Sequence, residues 1–271
     1  MKPSTMLRRA RRGAAAARDV VDRGLSGIGL ADDPQKVITE AGDYWQGAGD
    51  DAWKNNSHWR DGGVFAGSDL WAQVGERHLD LVRRLTHHDG PWRRILEWGC
   101  GGGANAAAFA PLAGTFVGTD VSRDSLTECR RQVHAVTGTP FEAVLVDIDR
   151  PEAAALGEAC DLFLCFYVFE LLPSPAYAER ILRIARRALA PGGQAVIQVK
   201  YDTGSFRTRS RRRSYRRGLA DMTTFPIHEF WTLSEACGFR PEAVHLIPRN
   251  VLDERYAYFL LRTPSDTESD G

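Results

Sequence analysis

The 271-residue chain is long enough for one large domain with a buried core, and 43% hydrophobic with 26% charged residues excludes a disordered polymer. Lys+Arg and Asp+Glu balance at 35 each, so the global charge gives no pull toward a polyanion and DNA is not an expected partner. Five cysteines without a Cys-x-x-Cys pair and seven scattered histidines argue against a disulfide framework and against a metal site.

The basic, alanine-rich stretch from Met1 to Arg23 lacks the leucine-rich centre of a signal peptide and reads as a helix over about 4–24. No apolar run reaches the roughly 18 residues of a spanning helix, so a cytoplasmic, reducing location is expected, with Cys160 and Cys165 as small core residues. Gly24 to Pro34 reads as a linker. Tyr44 to Trp71 then holds four of the seven tryptophans (Trp45, Trp53, Trp59, Trp71) together with His58, without a clean helical period. This density fits either a lid over a pocket or a purely structural aromatic cluster. Trp71, Val74, His78, Leu81, Val82 and Leu85 follow at helical spacing and predict an amphipathic helix.

From Arg93 the pattern alternates. Strands are expected at 93–98, 114–119, 141–146, 160–166 and 193–200, with helices near 103–112, 122–136 and 175–189, an arrangement of βαβ units. A helix at 226–237 and two further strands, 241–249 and 255–262, complete the pattern as an antiparallel pair at the sheet edge. The organisation is a tryptophan-rich cap over residues 1–90, a ligand-binding α/β domain over 91–263 and a disordered acidic tail over 264–271.

The first strand ends in Glu97-Trp98-Gly99-Cys100-Gly101-Gly102-Gly103 and runs into a small-residue helix. Glycine at Gly99 and Gly101 lets the turn take positive φ and lets a ligand approach the backbone. Asp120 closes the second strand 21 residues after Gly99. An acid at that distance accepts from ribose hydroxyls in dinucleotide-binding folds, and spacing alone fits NAD or another nucleoside. Asp147-Ile148 closes the third strand, and Phe166-Tyr167 the fourth.

Together these residues resemble the class I S-adenosylmethionine-dependent methyltransferases: Glu97-x-Gly99-x-Gly101-x-Gly103, Asp120, Asp147-Ile148, Asp161 to Pro173 and Leu189-x-Pro191-Gly192-Gly193, covering about residues 93–262. The resemblance implies a doubly wound α/β fold, a seven-stranded, mostly parallel, Rossmann-like sheet with an N-terminal helical cap, and S-adenosyl-L-methionine as cofactor. It places Glu97, Gly99 and Gly101 at the methionine end, Asp120 with Val121 at the ribose, Asp147 and Ile148 at the adenine, and Phe166 near the methyl donor. The glycine spacing departs from the Gly-x-Gly-x-x-Gly of NAD sites.

The reaction implied is methyl transfer to O, N or C of a small molecule, in secondary metabolism, with a carrier-bound acceptor as one form of it. A non-methylating binding protein and an RNA methyltransferase are the alternatives. Leu171 stands where the family often has a histidine, so the base is open among Glu170, His228 and His58. Each has a plainer role, as a helix-dipole partner, a surface or capping residue, and an aromatic-cluster member. Trp59, Tyr167, Tyr201 and Arg211 are the candidate acceptor contacts. Arg211 belongs to a run of seven arginines within 207–217, whose self-repulsion predicts a mobile, solvated loop. That loop reads as a surface insertion, a site for an anionic acceptor, or a contact for RNA phosphates.

Overall fold

The computed structural model describes residues 20–26, 30–48, 51–252 and 254–265. Residues 20–26 are helical; most of the expected 4–24 helix and of the acidic tail lies outside the described residues. The strands are β1 (Trp92–Trp98), β2 (Ala113–Asp120), β3 (Phe141–Leu145), β4 (Cys160–Cys165), β5 (Leu189–Lys200), β6 (Arg240–Arg249) and β7 (Glu254–Arg262). The α-helices are α1 (Pro34–Trp45), α2 (Ala52–Asn56), α3 (Leu70–Thr86), α4 (Ala104–Phe109), α5 (Arg123–Val136), α6 (Pro175–Ala188), α7 (Tyr215–Gly218) and α8 (Ile227–Ala236).

The seven strands form one sheet in the order β3-β2-β1-β4-β5-β7-β6. The first five run parallel and β7 is antiparallel to both β5 and β6. The predicted antiparallel pair is therefore present, with β7 inserted inside and β6 left as the edge. Strand order reverses between β1 and β4, and ligands of doubly wound sheets bind at the carboxyl ends of the strands beside such a switch.

Two-residue alternation divides the core. Leu96, Trp98, Phe163, Cys165 and Ile197 face α6 and α8, whereas Ile95, Phe116, Leu162, Leu164 and Val196 face α3, α4 and α5. The helices start at local signals. Ser174 caps α6 by accepting from Tyr177 N, with Pro175 at the first position, and Ser122 caps α5 through Ser125 N. Strand β5 begins four residues earlier than the alternation predicts. Pro191-Gly192-Gly193 sits inside it, where pairing with β4 shifts register between Cys160 and Leu162.

The tryptophan-rich segment is more helical than its pattern suggests. Trp45 ends α1 and Trp53 lies in the separate helix α2, so no single helical period links them. The arginine run is only in part a solvated loop: Arg207, Arg209, Arg216 and Arg217 are exposed, whereas Arg211, Arg212 and Arg213 are half-buried. Its backbone and side chains are bonded to acids and carbonyls remote in sequence: Arg211 N to Asp221 O, Asp32 N to Arg212 O, Ser214 N to Asp32 Oδ2, and Arg213 Nη1 to Leu30 O. Opposite charge from Asp22, 3.5 Å from Arg213 Nε, offsets part of the self-repulsion that the run shows in isolation.

Candidate active site

Above the carboxyl ends of β1, β2 and β4 lies a cavity of ≈ 940 Å³, its open mouth included. Its floor is the glycine turn. Gly99 and Gly101 adopt φ of 75° and 50°, and both line the cavity. Asp120 is tied to that turn: its Oδ2 accepts from Gly101 N at 3.0 Å and its Oδ1 from Ser122 N at 2.9 Å. Burial pushes its carboxyl up to about 6 against those two backbone bonds.

Glu97 sits beneath the floor, 1% exposed. One oxygen accepts from Asn105 Nδ2 at 2.7 Å, and the other, Oε2, is buried without a hydrogen-bond partner among the described residues. Burial pushes this acid up to about 8, partly opposed by the Asn105 bond. Asn105, which sequence reading passed over, lines the cavity. A polar residue in the alanine-rich start of α4 was the signal for it.

One wall is aromatic and belongs to distant segments. Tyr177 donates to Ile148 O at 2.7 Å, and Trp45 Nε1 donates to the hydroxyl of Tyr215 at 2.7 Å. Ile148, Tyr177, Trp45 and Tyr215 all line the cavity, as does Val121. The arginine segment thus contributes its tyrosine to the site. Asp147 points away: it is exposed, pairs with Arg150 at 3.0 Å, and its neighbours Val146 and Ile148 line the cavity instead.

The opposite wall joins the cap to β4. Ser57 and His58 lie on the glycine turn, with Gly102 N donating to Ser57 O at 2.6 Å. The His58 ring meets Tyr167 edge-on at a centroid distance of 4.7 Å, and Phe166 lies beside them. Burial pulls His58 down to about 4, assisted by nearby His78, so its ring is neutral at physiological pH. Tyr167 has a φ of 56°, uncommon for an aromatic residue, and its N–H donates to Gln198 Oε1 at 2.5 Å.

Residues 96–195 match a family model described as a methyltransferase domain. They are a class I S-adenosylmethionine-dependent methyltransferase domain. A ubiquinone biosynthesis O-methyltransferase of Hydrogenovibrio crunogenus is 27% identical over 139 residues, 51% of this chain and 53% of that protein. The chain thus spans about half the length of the curated relatives it matches. Among solved structures, the N-methyltransferase NodS from Bradyrhizobium japonicum WM9, in complex with S-adenosyl-L-homocysteine, superposes with a TM-score of 0.57 at 19% identity. That match covers 84% of this chain and 99% of NodS. Magnesium protoporphyrin IX methyltransferase from Synechocystis PCC 6803 gives 0.58 at 14%, over 83% and 96%. At these identities the likeness is one of fold.

Five of the catalytic and acceptor candidates lie away from the cavity lining. Glu170 is buried next to it, accepting from Tyr256 OH at 3.5 Å. His228 is exposed on the first turn of α8. Tyr201 bridges to Phe225, and Trp59 packs edge-on against Trp53 at 5.5 Å. Arg211 is bonded through its backbone to Asp221. Of the three proposed bases, only His58 lines the cavity.

Proposed function

We propose that the chain binds S-adenosylmethionine in this cavity and transfers its methyl group to an O, N or C atom of a small-molecule metabolite. The observation that carries the reading is Asp120: a pocket-lining carboxylate bonded to Gly101, at the carboxyl end of β2 beside the glycine turn. The residues fit the group. Two positive-φ glycines leave the floor open, a buried acid has an oxygen without a partner among the described residues, and aromatic and apolar side chains form a wall suited to a purine.

When bound, the sulfonium supplies an already activated methyl group, so the protein's task is chiefly to position the acceptor. Asp120 would accept from ribose hydroxyls. Ile148, Tyr177 and Tyr215 would enclose the adenine, and the turn with Glu97 and Asn105 would receive the methionine end. His58 and Tyr167 would flank the acceptor. A neutral His58 can accept a hydrogen bond from an acceptor hydroxyl but, held near 4, is a weak base. Positioning therefore outweighs proton abstraction in this site.

The names of the relatives support a small acceptor, and the balanced charge supports a partner other than nucleic acid; the reaction proposed is a cytoplasmic one in secondary metabolism. An anionic or carrier-bound acceptor would draw on the exposed arginines Arg207, Arg209, Arg216 and Arg217. A second reading, a binding protein that does not methylate, is favoured by Leu171 where a histidine would stand. Transfer of labelled methyl to a panel of phenols, amines and acidic metabolites separates the two: the enzyme labels an acceptor, whereas the binder takes up cofactor and labels none.

A further inference from the structure

Five hydrogen bonds link the end of β4 to the acid under the glycine turn, and all point one way. Tyr167 N–H donates to Gln198 Oε1 at 2.5 Å, and Gln198 Nε2 donates to the Tyr258 hydroxyl at 2.9 Å. The hydroxyl lies 3.1 Å from His78 Nε2, His78 Nδ1 lies 2.7 Å from Asn105 Oδ1, and Asn105 Nδ2 donates to Glu97 at 2.7 Å. A backbone N–H can only donate, so it fixes the Gln198 amide with its nitrogen toward Tyr258. At the other end Asn105 gives its nitrogen to Glu97 and turns its oxygen to His78, so the imidazole proton sits on Nδ1 and Nε2 accepts from the Tyr258 hydroxyl, which also meets Tyr167. Each member satisfies the next without reversal.

His78 is built for this place. It is 5% exposed, stacks on Phe166 with ring centroids 4.5 Å apart, and interrupts the apolar stripe of α3 between Val74 and Leu81. Burial holds it neutral, which the Nδ1-protonated form requires. Asn105 makes no other side-chain hydrogen bond among the described residues and lines the cavity. With its oxygen held by His78, it offers only N–H toward Glu97 and the pocket. Turned over, it would present an oxygen to the carboxylate of a bound amino acid.

We propose that His78 is a positioning residue that locks Asn105 as a hydrogen-bond donor to the amino-acid end of the cofactor, through a one-directional chain anchored at Tyr167. The proposal rests on the cofactor reading above and names how its methionine end is held.

The test uses two ligands that share the nucleoside: S-adenosylhomocysteine, which has the amino-acid group, and 5′-methylthioadenosine, which lacks it. Calorimetry on the full chain measures both. His78→Phe keeps the ring against Phe166 and removes both bonds; homocysteine-ligand affinity falls about tenfold while methylthioadenosine stays within about twofold. His78→Asn returns a donor at the Nδ1 position and recovers most of the loss. If His78→Phe does not fold, Tyr258→Phe, which removes one hydroxyl, carries the same test with a loss of about threefold confined to the homocysteine ligand. Equal losses for both ligands, or none, overturn the proposal. Wild-type protein that binds neither ligand sinks the cofactor reading itself, a different failure.

Discussion

The N–H of Gly102 donates to the carbonyl of Ser57 at 2.6 Å, so the segment carrying His58 is bonded directly to the glycine turn. The His58 segment and the cavity floor are therefore one unit, and a change in the turn is felt on both. A Cβ at residue 102 would lie 2.5 Å from His58 O and 2.6 Å from Trp59 Cα, backbone atoms that cannot step aside locally. Gly102→Ala should cost about 1–3 kcal/mol in denaturant melts and, by lifting the cap, weaken S-adenosylhomocysteine binding severalfold.

The two strand-end acids should behave differently. Asp120→Ala leaves ribose hydroxyls and Gly101 N without their acceptor and should weaken cofactor binding more than about tenfold. Asp147 is exposed and its partner Arg150 is more so, a pairing of small worth. Asp147→Ala should change affinity less than about threefold, read by the same calorimetry.

The candidate bases should separate in kinetics. His228→Ala, on the exposed start of α8, should leave kcat within about twofold, as surface changes away from a site do. His58→Ala removes a pocket-lining ring that flanks the acceptor and should lower kcat by about a hundredfold, the cost of misplacing the acceptor by roughly 1 Å. Because His58 is already neutral above about 4, the wild-type kcat should show no histidine inflection near pH 6.5.

Stability of the ligand-free protein should carry the signature of Glu97. Between its ordinary 4.5 and its native value of about 8, the folded state holds a proton that the unfolded chain has released, so its contribution is lost as pH rises through about 8. Asp120 acts likewise between 3.8 and about 6. His58 and His78, held near 4 and neutral in the fold, act oppositely: their contribution is present above 6.5 and lost as pH falls toward 4. Above pH 6.5 Glu97 dominates among these four. The melting temperature should therefore decline from pH 6.5 to about 8, and Glu97→Gln should flatten that decline.

What the sequence discloses here is what sits close in the chain. Glu97, Gly99, Gly101 and Asp120 form a strand–turn–helix–strand pattern whose spacing alone places them together. Partners far apart in sequence are invisible to that logic. The bond from His78 to Asn105 spans 27 residues, that from Trp45 to Tyr215 spans 170, and the acids that settle the arginine run lie as far away as Asp22 and Asp32. Asp147 illustrates the converse limit: its position in the chain is right for the site, but its side chain turns outward to Arg150.

The most direct test of the account is calorimetric titration of S-adenosylhomocysteine into the wild-type chain and Asp120→Ala side by side. One ligand per chain is expected for the wild type, with a more than about tenfold loss of affinity in the variant. No binding to the wild type, or equal affinity in the two, would contradict it.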